Sequence, residues 1–292
     1  MSLTHLAQWL RCPNCSAPLT PTAELTLGCT AGHRFDVNKR GYVTLVSTRS
    51  ATAGDTAQML ADRAALLDSG AYAPVVDALL DALPRDTSRI VDAGCGTGYY
   101  LARALESRTA ASGLALDRSA AGVRLAMRSS DRVSGLVADT WEPLPIRDSI
   151  ADVVLNVFAP RNPGEFNRIL RPGGSLIIIV PRDRHLRELR EGARMLSVPA
   201  DKAEHLEQQL AAQFSADSRV TVEYSLPLAA GQAELLREMG PSAYHPTLCD
   251  ESVHENEAAS GWMPPQSVTV SVDVLRFTRP LPASNQRLEP TG

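Results

Sequence analysis

The sequence has few aromatic residues, no long apolar run and no strong excess of charge of either sign. Aromatic residues make up 5% of the 292 positions, and 29 basic side chains nearly balance 33 acidic ones, for a formal net charge of −4. The longest apolar run, SLIIIVP, is far shorter than the roughly 20 residues that cross a membrane, and no signal-peptide pattern opens the chain. These observations argue against a uniformly basic protein, and we expect a cytoplasmic protein that neither spans a membrane nor is secreted.

Cysteine is also scarce, with five residues in the whole chain. In a reducing compartment these cysteines predict a metal site or buried thiols, not a disulfide framework. Three of them lie near the start, as Cys12-x2-Cys15 and, after thirteen residues, Cys29-x3-His33. Three cysteines and one histidine form a closed structural zinc set, and a segment this short depends on the metal to fold. We therefore predict zinc at Cys12, Cys15, Cys29 and His33; the alternative is two buried cysteines beside a chance histidine.

The segment around these ligands is locally basic. Through residue 49 it carries five basic and two acidic side chains. Cations that meet phosphates and flat rings that meet bases suit single-stranded or loop RNA. The rings of Phe35 and Tyr42 could equally form the core of this segment. We predict RNA contacts from four of the basic residues, Arg11, Arg34, Lys39 and Arg40.

The rest of the chain alternates between helical and strand patterns. Two helices with Tyr72 in the joint between them precede seven strand-like runs that are mostly separated by helices. This alternation predicts an α/β fold with a mostly parallel seven-stranded sheet covered on both faces. We expect a zinc module over residues 1–48, a helical linker that closes over a cofactor over 49–84, a sheet domain over 85–280 and a loose tail over 281–292.

One glycine-rich stretch, VDAGCGTG from Val91 to Gly98, joins the first of these strands to a helix. Its pattern is G-x-G-x-G, not the dinucleotide pattern G-x-G-x-x-G, and Asp92 precedes the first glycine. A carboxylate suits a cation better than a phosphate. Asp117 and Asp139 follow the next two strands, where they could accept from ribose hydroxyls and an adenine amino group. The spaced acids favour S-adenosylmethionine over a nicotinamide dinucleotide or an unliganded fold, although Asp139 could be a turn acid.

Taken together, the zinc segment and several sequence stretches resemble the 23S ribosomal RNA guanine-N1 methyltransferases, most closely the branch that protects macrolide producers from their own antibiotic. The stretches are RGYVTL, LDSGAY, VDAGCGTGYY, NVFAPRNPGEFNRILRPGG, PRDRHLREL and MGPSAYHP, and the resemblance runs from about Leu10 to about Leu281. Two departures stand out. Tyr244 replaces a tryptophan usual in the family, and residues 249–262 match least and receive no role.

This resemblance implies a class I, Rossmann-like S-adenosylmethionine-dependent methyltransferase domain behind a zinc ribbon. It implies methyl transfer to N1 of a guanine in a domain II hairpin loop of 23S rRNA, near the macrolide site of the exit tunnel, by a homodimer whose paired ribbons wall a basic cleft. It adds contacts of Tyr72 and His185 with the methyl donor, which the residue spacing does not predict. Spacing alone predicts that His185 is a surface residue of a helix. The predicted cofactor-binding residues are Tyr72, Asp92, Gly94, Cys95, Gly96, Thr97, Gly98, Asp117, Asp139 and His185.

The acceptor side is predicted from the fourth strand, which ends in NVFAP. We expect Asn156 and Phe158 to orient the guanine, with Phe158 as a stacking face; Phe158 could equally be a core residue. Four arginines on the same rim could hold phosphates or simply be solvated, namely Arg161, Arg168, Arg182 and Arg184. No residue stands out as a general base. A small-molecule methyltransferase and an inactive zinc-ribbon RNA-binding protein remain the competing functions.

Overall fold

A computed structural model describes residues 2–45, 54–193, 202–229, 231–238 and 265–282. Tyr244, the segment 249–262 and the first residues of the predicted linker, 49–53, lie outside the described residues, as does most of the predicted tail. Within the described ranges, no helix is both long enough and apolar enough to cross a membrane.

The N-terminal part combines one short helix with four short strands. The helix begins behind Ser2, whose Oγ accepts a hydrogen bond from the backbone N–H of His5 at 3.3 Å and so caps the first turn. Strands β1 to β3 form an antiparallel three-stranded sheet, whereas β4 leaves it. The elements are α1 (Leu3–Trp9), β1 (Thr20–Ala23), β2 (Thr26–Gly28), β3 (Arg34–Asp36) and β4 (Tyr42–Thr44).

Two helices follow, α2 (Ala57–Asp68) and α3 (Ala73–Ala82). The hydroxyl of Thr56 accepts from the N–H of Met59 and caps α2. Tyr72 is the residue that precedes α3, and proline occupies the first turn of that helix, where its missing N–H costs nothing. The predicted joint at Tyr72 is therefore present.

The remaining strands form one large mixed sheet. Its strand order is β10-β11-β9-β8-β5-β6-β7-β4, with β9 to β4 parallel and with β11 and β10 antiparallel at one edge. The seven predicted strands are β5 (Arg89–Ala93), β6 (Ser112–Asp117), β7 (Val133–Val137), β8 (Ala151–Val157), β9 (Leu170–Pro181), β10 (Ser215–Pro227) and β11 (Ser267–Thr278).

The predicted strand count needs one correction, because β4 adds an eighth strand to this sheet. It pairs in parallel with β7, with Val43 opposite Leu136. Tyr42 and Val43 are both buried, and they join the apolar clusters on opposite faces of the sheet. A strand of three residues that is buried on both faces shows no alternation of apolar and polar residues, so the sequence pattern does not predict it. Tyr42 is thus a core residue, but of the sheet and not of the N-terminal segment; Phe35 is only partly buried and packs against the cluster that holds the ribbon residues.

Helices cover both faces of the sheet, as the alternating pattern predicted. Nearly unbroken apolar strands such as β7 and β9 fit this double coverage, since each of their faces is buried. The helices of this region are α4 (Tyr99–Ser107), α5 (Ala120–Arg128), α6 (Pro163–Ile169), α7 (Arg187–Ala193), α8 (Lys202–Leu210) and α9 (Gln232–Glu238).

The zinc segment packs directly on this sheet. Leu6, Leu10 and Leu27 belong to the same buried cluster as Val91 and Leu136 of the central strands. One apolar layer therefore crosses the predicted domain boundary at residue 48, and that boundary stays a prediction.

Arg147 contributes several hydrogen bonds to the junction between the two parts. The guanidinium of Arg147 donates to the backbone carbonyls of Leu10 at 2.9 Å, Ala7 at 2.9 Å and Leu19 at 3.0 Å. Burial lowers the pKa of Arg147, which shows that the group gives up part of its hydration to make these contacts. The three carbonyls belong to the N-terminal part, so the side chain fastens that part to the sheet domain.

Replacing this arginine with methionine should weaken the junction without opening a cavity. We expect Arg147→Met to lower the free energy of unfolding by about 2 kcal/mol, because a charged donor to buried carbonyls is lost. Urea denaturation followed by circular dichroism measures the change. The matched control is Arg85→Met, since Arg85 is exposed; equal unfolding midpoints for the two variants would contradict the role of Arg147.

Candidate active site and zinc centre

The four predicted metal ligands come together at the tip of the N-terminal part. Their ligand atoms all lie within 4.8 Å of one another. The Sγ atoms of Cys12 and Cys29 are 3.5 and 3.4 Å from Nδ1 of His33, and Cys15 Sγ is 3.6 Å from Cys29 Sγ. Around a tetrahedral zinc ion the ligand atoms are about 3.5 to 3.8 Å apart, so this donor set fits zinc.

The chemistry of Cys29 also suits a metal. Although desolvation opposes it, hydrogen bonds from His33 and Cys15 lower the pKa of the Cys29 thiol to about 6. The thiolate is the form that binds zinc. Gly32, at φ +85°, forms the tight turn that brings His33 back to Cys29.

The glycine-rich loop between β5 and α4 lies at the carboxyl end of the sheet and contains the predicted residues Cys95 and Thr97. Gly94 and Gly98 have φ values of +88° and +80°. A Cβ atom at Gly94 would come within 2.4 Å of Ala159 Cβ, and one at Gly98 within 2.4 Å of Ala126 Cα. The loop is therefore packed between the loop that follows β8 and helix α5, and only glycine fits these two positions.

Asp117, at the end of β6, holds this loop in place. Its carboxylate accepts hydrogen bonds from the backbone N–H groups of Gly96 at 2.9 Å and Ser119 at 2.8 Å. Burial nevertheless raises the pKa of Asp117. Asp92 is 2% exposed, and burial together with the nearby charge of Asp117 raises its pKa to about 7. A nearby cation would stabilise the ionised forms of these two carboxyl groups. This edge of the sheet therefore favours a positively charged ligand group.

The start of α2 lies against the same loop. Arg63 forms an ion pair with Asp55, and a Cβ at Gly96 would be 3.2 Å from the Arg63 guanidinium. The hydroxyl of Ser119 donates to the backbone carbonyl of Asp55 at 2.8 Å. No sequence pattern indicates this contact, because residues 55 and 63 approach the loop only after the chain has folded.

The third acid, Asp139, follows β7 and is 5% exposed. One of its oxygens accepts from the backbone N–H of Trp141 at 3.0 Å, and the other forms an ion pair with Arg118 at 3.0 Å. One oxygen of Asp139 therefore has the role of a turn acid, as the alternative interpretation predicted. Its contact with an adenine stays a prediction.

Three aromatic rings meet beside the glycine loop, among them both residues that only the family resemblance implied. Tyr72 makes edge contacts with Phe158 and with His185, each at 6.4 Å between ring centroids, and Phe158 stacks on His185 at 5.9 Å and 16°. Phe158 is 42% exposed, so its interpretation as a core residue is wrong. Its φ of +52° is unusual for a bulky residue and accompanies this outward position. His185 precedes α7, so the interpretation as a surface helix residue is also wrong.

His185 is neutral at physiological pH. Its Nδ1 accepts a hydrogen bond from the backbone N–H of Ser271 at 3.2 Å. Burial, with smaller contributions from Arg190 and Lys202, lowers the pKa of His185 to about 4. A neutral ring that accepts at Nδ1 carries its proton on Nε2.

Asn156 is a buried residue that stabilises the loops around the site. It is fully buried, and its amide nitrogen donates to the backbone carbonyls of Ala93 at 3.0 Å and Pro160 at 2.8 Å. The side chain therefore ties the loop of Phe158 to the glycine loop and does not face the pocket in this conformation. A direct contact with an acceptor base stays a prediction.

Some of the predicted RNA-binding cations are exposed, whereas others pair with acidic side chains or are partly buried. Arg34, Lys39 and Arg40 are exposed, and the last two line a cleft of about 680 Å³ on the N-terminal part. Arg11 forms an ion pair with Asp148 at 2.8 Å, and Arg161 is half-buried, a burial that lowers its pKa.

The other arginines on the rim lie beside acidic side chains. Arg182 lies 3.8 Å from a carboxylate of Asp273, and Arg184 pairs with Glu223 at 2.6 Å. Arg168 donates to backbone carbonyls at 2.7 and 2.8 Å and pairs with Glu165, so it is a structural residue and the solvated interpretation is wrong.

Comparison with known proteins finds a family match in each of the two parts of the chain. The zinc ribbon described as "RlmA, N-terminal" matches residues 10–49, and the methyltransferase domain family matches residues 91–178. Among solved structures, a chain from the complex of the Haloferax volcanii Trm112 methyltransferase activator with a methyltransferase is similar, with a TM-score of 0.51 at 19% identity over 79% of this chain and 100% of that one. That likeness concerns the fold alone.

Curated relatives cover most of the chain. The 23S rRNA (guanine(748)-N(1))-methyltransferase of Streptomyces fradiae is 44% identical over 82% of this chain and 88% of its own length. A protein of Micromonospora griseorubida whose name assigns it to the 23S rRNA (guanine-N(1)-)-methyltransferases is 36% identical over 93% and 97%. The protein therefore belongs to the 23S rRNA guanine-N1 methyltransferases, S-adenosylmethionine-dependent enzymes with an N-terminal zinc ribbon.

Proposed function

We propose that this enzyme methylates N1 of the guanine in a domain II hairpin loop of 23S rRNA that corresponds to guanine 748, and that the modification protects the ribosome from macrolides. The name of the Streptomyces fradiae relative supports the position. The structural observation that carries the proposal is an exposed aromatic ring, Phe158, beside an acidic cofactor edge. We also propose that the enzyme acts in the cytoplasm as a homodimer, with its paired ribbons around the RNA.

The cofactor is proposed to lie along the carboxyl ends of β5, β6 and β7. S-adenosylmethionine, when bound, supplies a methyl group on a positively charged sulfur. The close-packed glycines leave bare backbone for its approach, the buried carboxyl of Asp92 suits its ammonium group, and Asp117 suits the ribose hydroxyls. Asp139 would meet the adenine, and Tyr72 and His185 would border the donor from the other side.

The acceptor guanine is proposed to stack on the exposed face of Phe158. The opposite face of this ring is covered by His185, which leaves one face for a base. Asn156 and the unusual φ of Phe158 hold the ring in this outward position before RNA arrives. Alignment of donor and acceptor supplies a large part of the rate in such displacements, so a fixed platform favours the reaction.

The proton on guanine N1 must leave before or during the methyl transfer. His185 does not suit the role of its acceptor, because Nδ1 is occupied by Ser271 and Nε2 carries the ring proton. A neutral ring that donates from Nε2 suits contact with an oxygen, such as a carbonyl or enolate oxygen of a base.

The RNA is proposed to reach this pocket across the zinc ribbon. The cleft lined by Lys39 and Arg40, with Arg34 exposed nearby in the chain, offers cations to phosphates. Arg161 and Arg182 would extend this contact at the pocket. Arg11 is held by Asp148 and would contribute less to phosphate binding than the exposed cations.

Primer extension tests the proposed reaction. A domain II hairpin transcript treated with enzyme and S-adenosylmethionine should give one strong stop, because N1-methylguanine cannot form a Watson–Crick pair. Phe158→Ala should lower kcat/KM by about 10- to 100-fold through the loss of base stacking, while calorimetry gives an unchanged affinity for the cofactor.

The controls separate this reaction from its competitors. Phe158→Tyr keeps a stacking ring and should retain most of the activity. A wild-type enzyme that binds the cofactor yet gives no stop on the hairpin would favour a small-molecule acceptor. A protein that binds the hairpin and no cofactor would be an inactive RNA-binding protein, and either result would overturn the proposal.

Cofactor binding should depend on pH through Asp92. The buried carboxyl keeps its proton up to about pH 7, and a ligand cation favours the ionised form, so affinity for S-adenosylmethionine should rise about tenfold between roughly pH 5.5 and 7. Isothermal titration calorimetry across this range measures the effect. Asp92→Asn should bind weakly at every pH, whereas the exposed control Asp68→Asn should keep the wild-type profile. A flat wild-type profile would show that Asp92 does not meet the ligand cation.

A further inference from the structure

Trp141 is an exposed tryptophan on the same edge of the sheet as the proposed pocket. It is 65% exposed, although large aromatic side chains are usually mostly buried. It lies in the turn that follows β7, between Asp139 and Glu142. Of the large apolar side chains that are exposed in the described part of the chain, only Trp141 and Phe158 are aromatic.

The turn that carries Trp141 is held firmly. The carboxylate of Asp139 accepts from the Trp141 N–H at 3.0 Å, and the N–H of Glu142 donates to the backbone carbonyl of Asp139 at 3.1 Å. The amide nitrogen of Asn162 donates to the carbonyl of Thr140 at 3.1 Å and reaches that of Trp141 at 3.4 Å. A side chain on such a backbone loses little entropy when it binds a partner.

This turn connects the pocket with the zinc ribbon. Asn162 belongs to the loop that carries Phe158 and Arg161, so the two exposed rings project from loops that are hydrogen-bonded to each other. On the other side, the chain runs from Trp141 to Pro145, whose carbonyl accepts from the Arg11 N–H at 3.0 Å. The turn therefore lies between the ribbon and the loop of Phe158 along a continuous series of backbone and side-chain hydrogen bonds.

We propose that Trp141 is a stacking platform for an unpaired base next to the target guanine, an inference that rests on the proposed function. A guanine that turns into the pocket leaves its neighbour without a stacking partner, and a fixed indole ring replaces that partner. Base stacking on aromatic side chains is a general mode of contact with single-stranded RNA. Arg161, which precedes Asn162 and forms no ion pair among the described residues, offers a cation to the adjoining phosphate.

Substitutions of Trp141, alone and combined with changes in the RNA, test this contact. Trp141→Ala should raise KM for the hairpin about tenfold, with an unchanged affinity for S-adenosylmethionine, and Trp141→Phe should restore most of the loss. Hairpins with an abasic nucleotide on either side of the guanine are then tested in turn. At one of the two positions the abasic change should cost wild type about tenfold and should cost Trp141→Ala almost nothing.

The other outcomes identify other roles for the ring. The matched control is Val220→Ala, which removes an exposed apolar side chain from the far edge of the sheet and should leave all values unchanged. A loss of cofactor affinity in Trp141→Ala would assign the ring to the adenine, and a shift in oligomeric state by ultracentrifugation would assign it to a second copy; either overturns the proposal. Additive losses on every abasic hairpin also overturn it. If wild type itself gives no stop on the intact hairpin, the proposed function has failed instead.

Discussion

The carboxylate of Asp117 is the contact on which the proposed site depends most. It holds the N–H of Gly96 and the N–H of Ser119 together, so the end of β6 fixes the loop between β5 and α4. The buried Asp92 carboxyl lies near the end of β5, just before this loop, and α4 follows the loop. Asn156 adds a second tie, from β8 to the same region, which carries the order of the loop to Phe158. The proposed cofactor edge and the proposed acceptor platform are therefore parts of one hydrogen-bonded layer.

The zinc ribbon packs against the same sheet. Its apolar residues enter the cluster on one face of the sheet, β4 extends the sheet itself, and Arg147 binds three carbonyls across the junction. Under the proposed function, these contacts would set the position of a ribbon-bound RNA relative to the pocket. Fixed placement of the substrate suits a reaction in which alignment supplies much of the catalysis.

Much of this arrangement could be predicted from local patterns. The zinc ligands followed from their spacing, the sheet from the alternation of strands and helices, and the glycine loop from its composition. The features that the sequence did not reveal depend on contacts between distant residues. The strand β4 is buried by neighbours about 90 residues away, so its three residues carry no periodic signal of their own. The Asp55–Arg63 pair, the engagement of Arg168 and the inward position of Asn156 likewise arise only when the loops meet.

Calorimetric titration of S-adenosylmethionine into Asp117→Ala tests the central claim most directly. If the carboxylate both fixes the glycine loop and meets the ribose hydroxyls, affinity should fall about 100-fold or more, because two hydrogen bonds to a charged group are lost. The melting temperature should fall by only a few degrees, because two loop hydrogen bonds are lost while both apolar clusters stay intact. Wild-type affinity in this variant would contradict the account, because the cofactor would then be bound elsewhere.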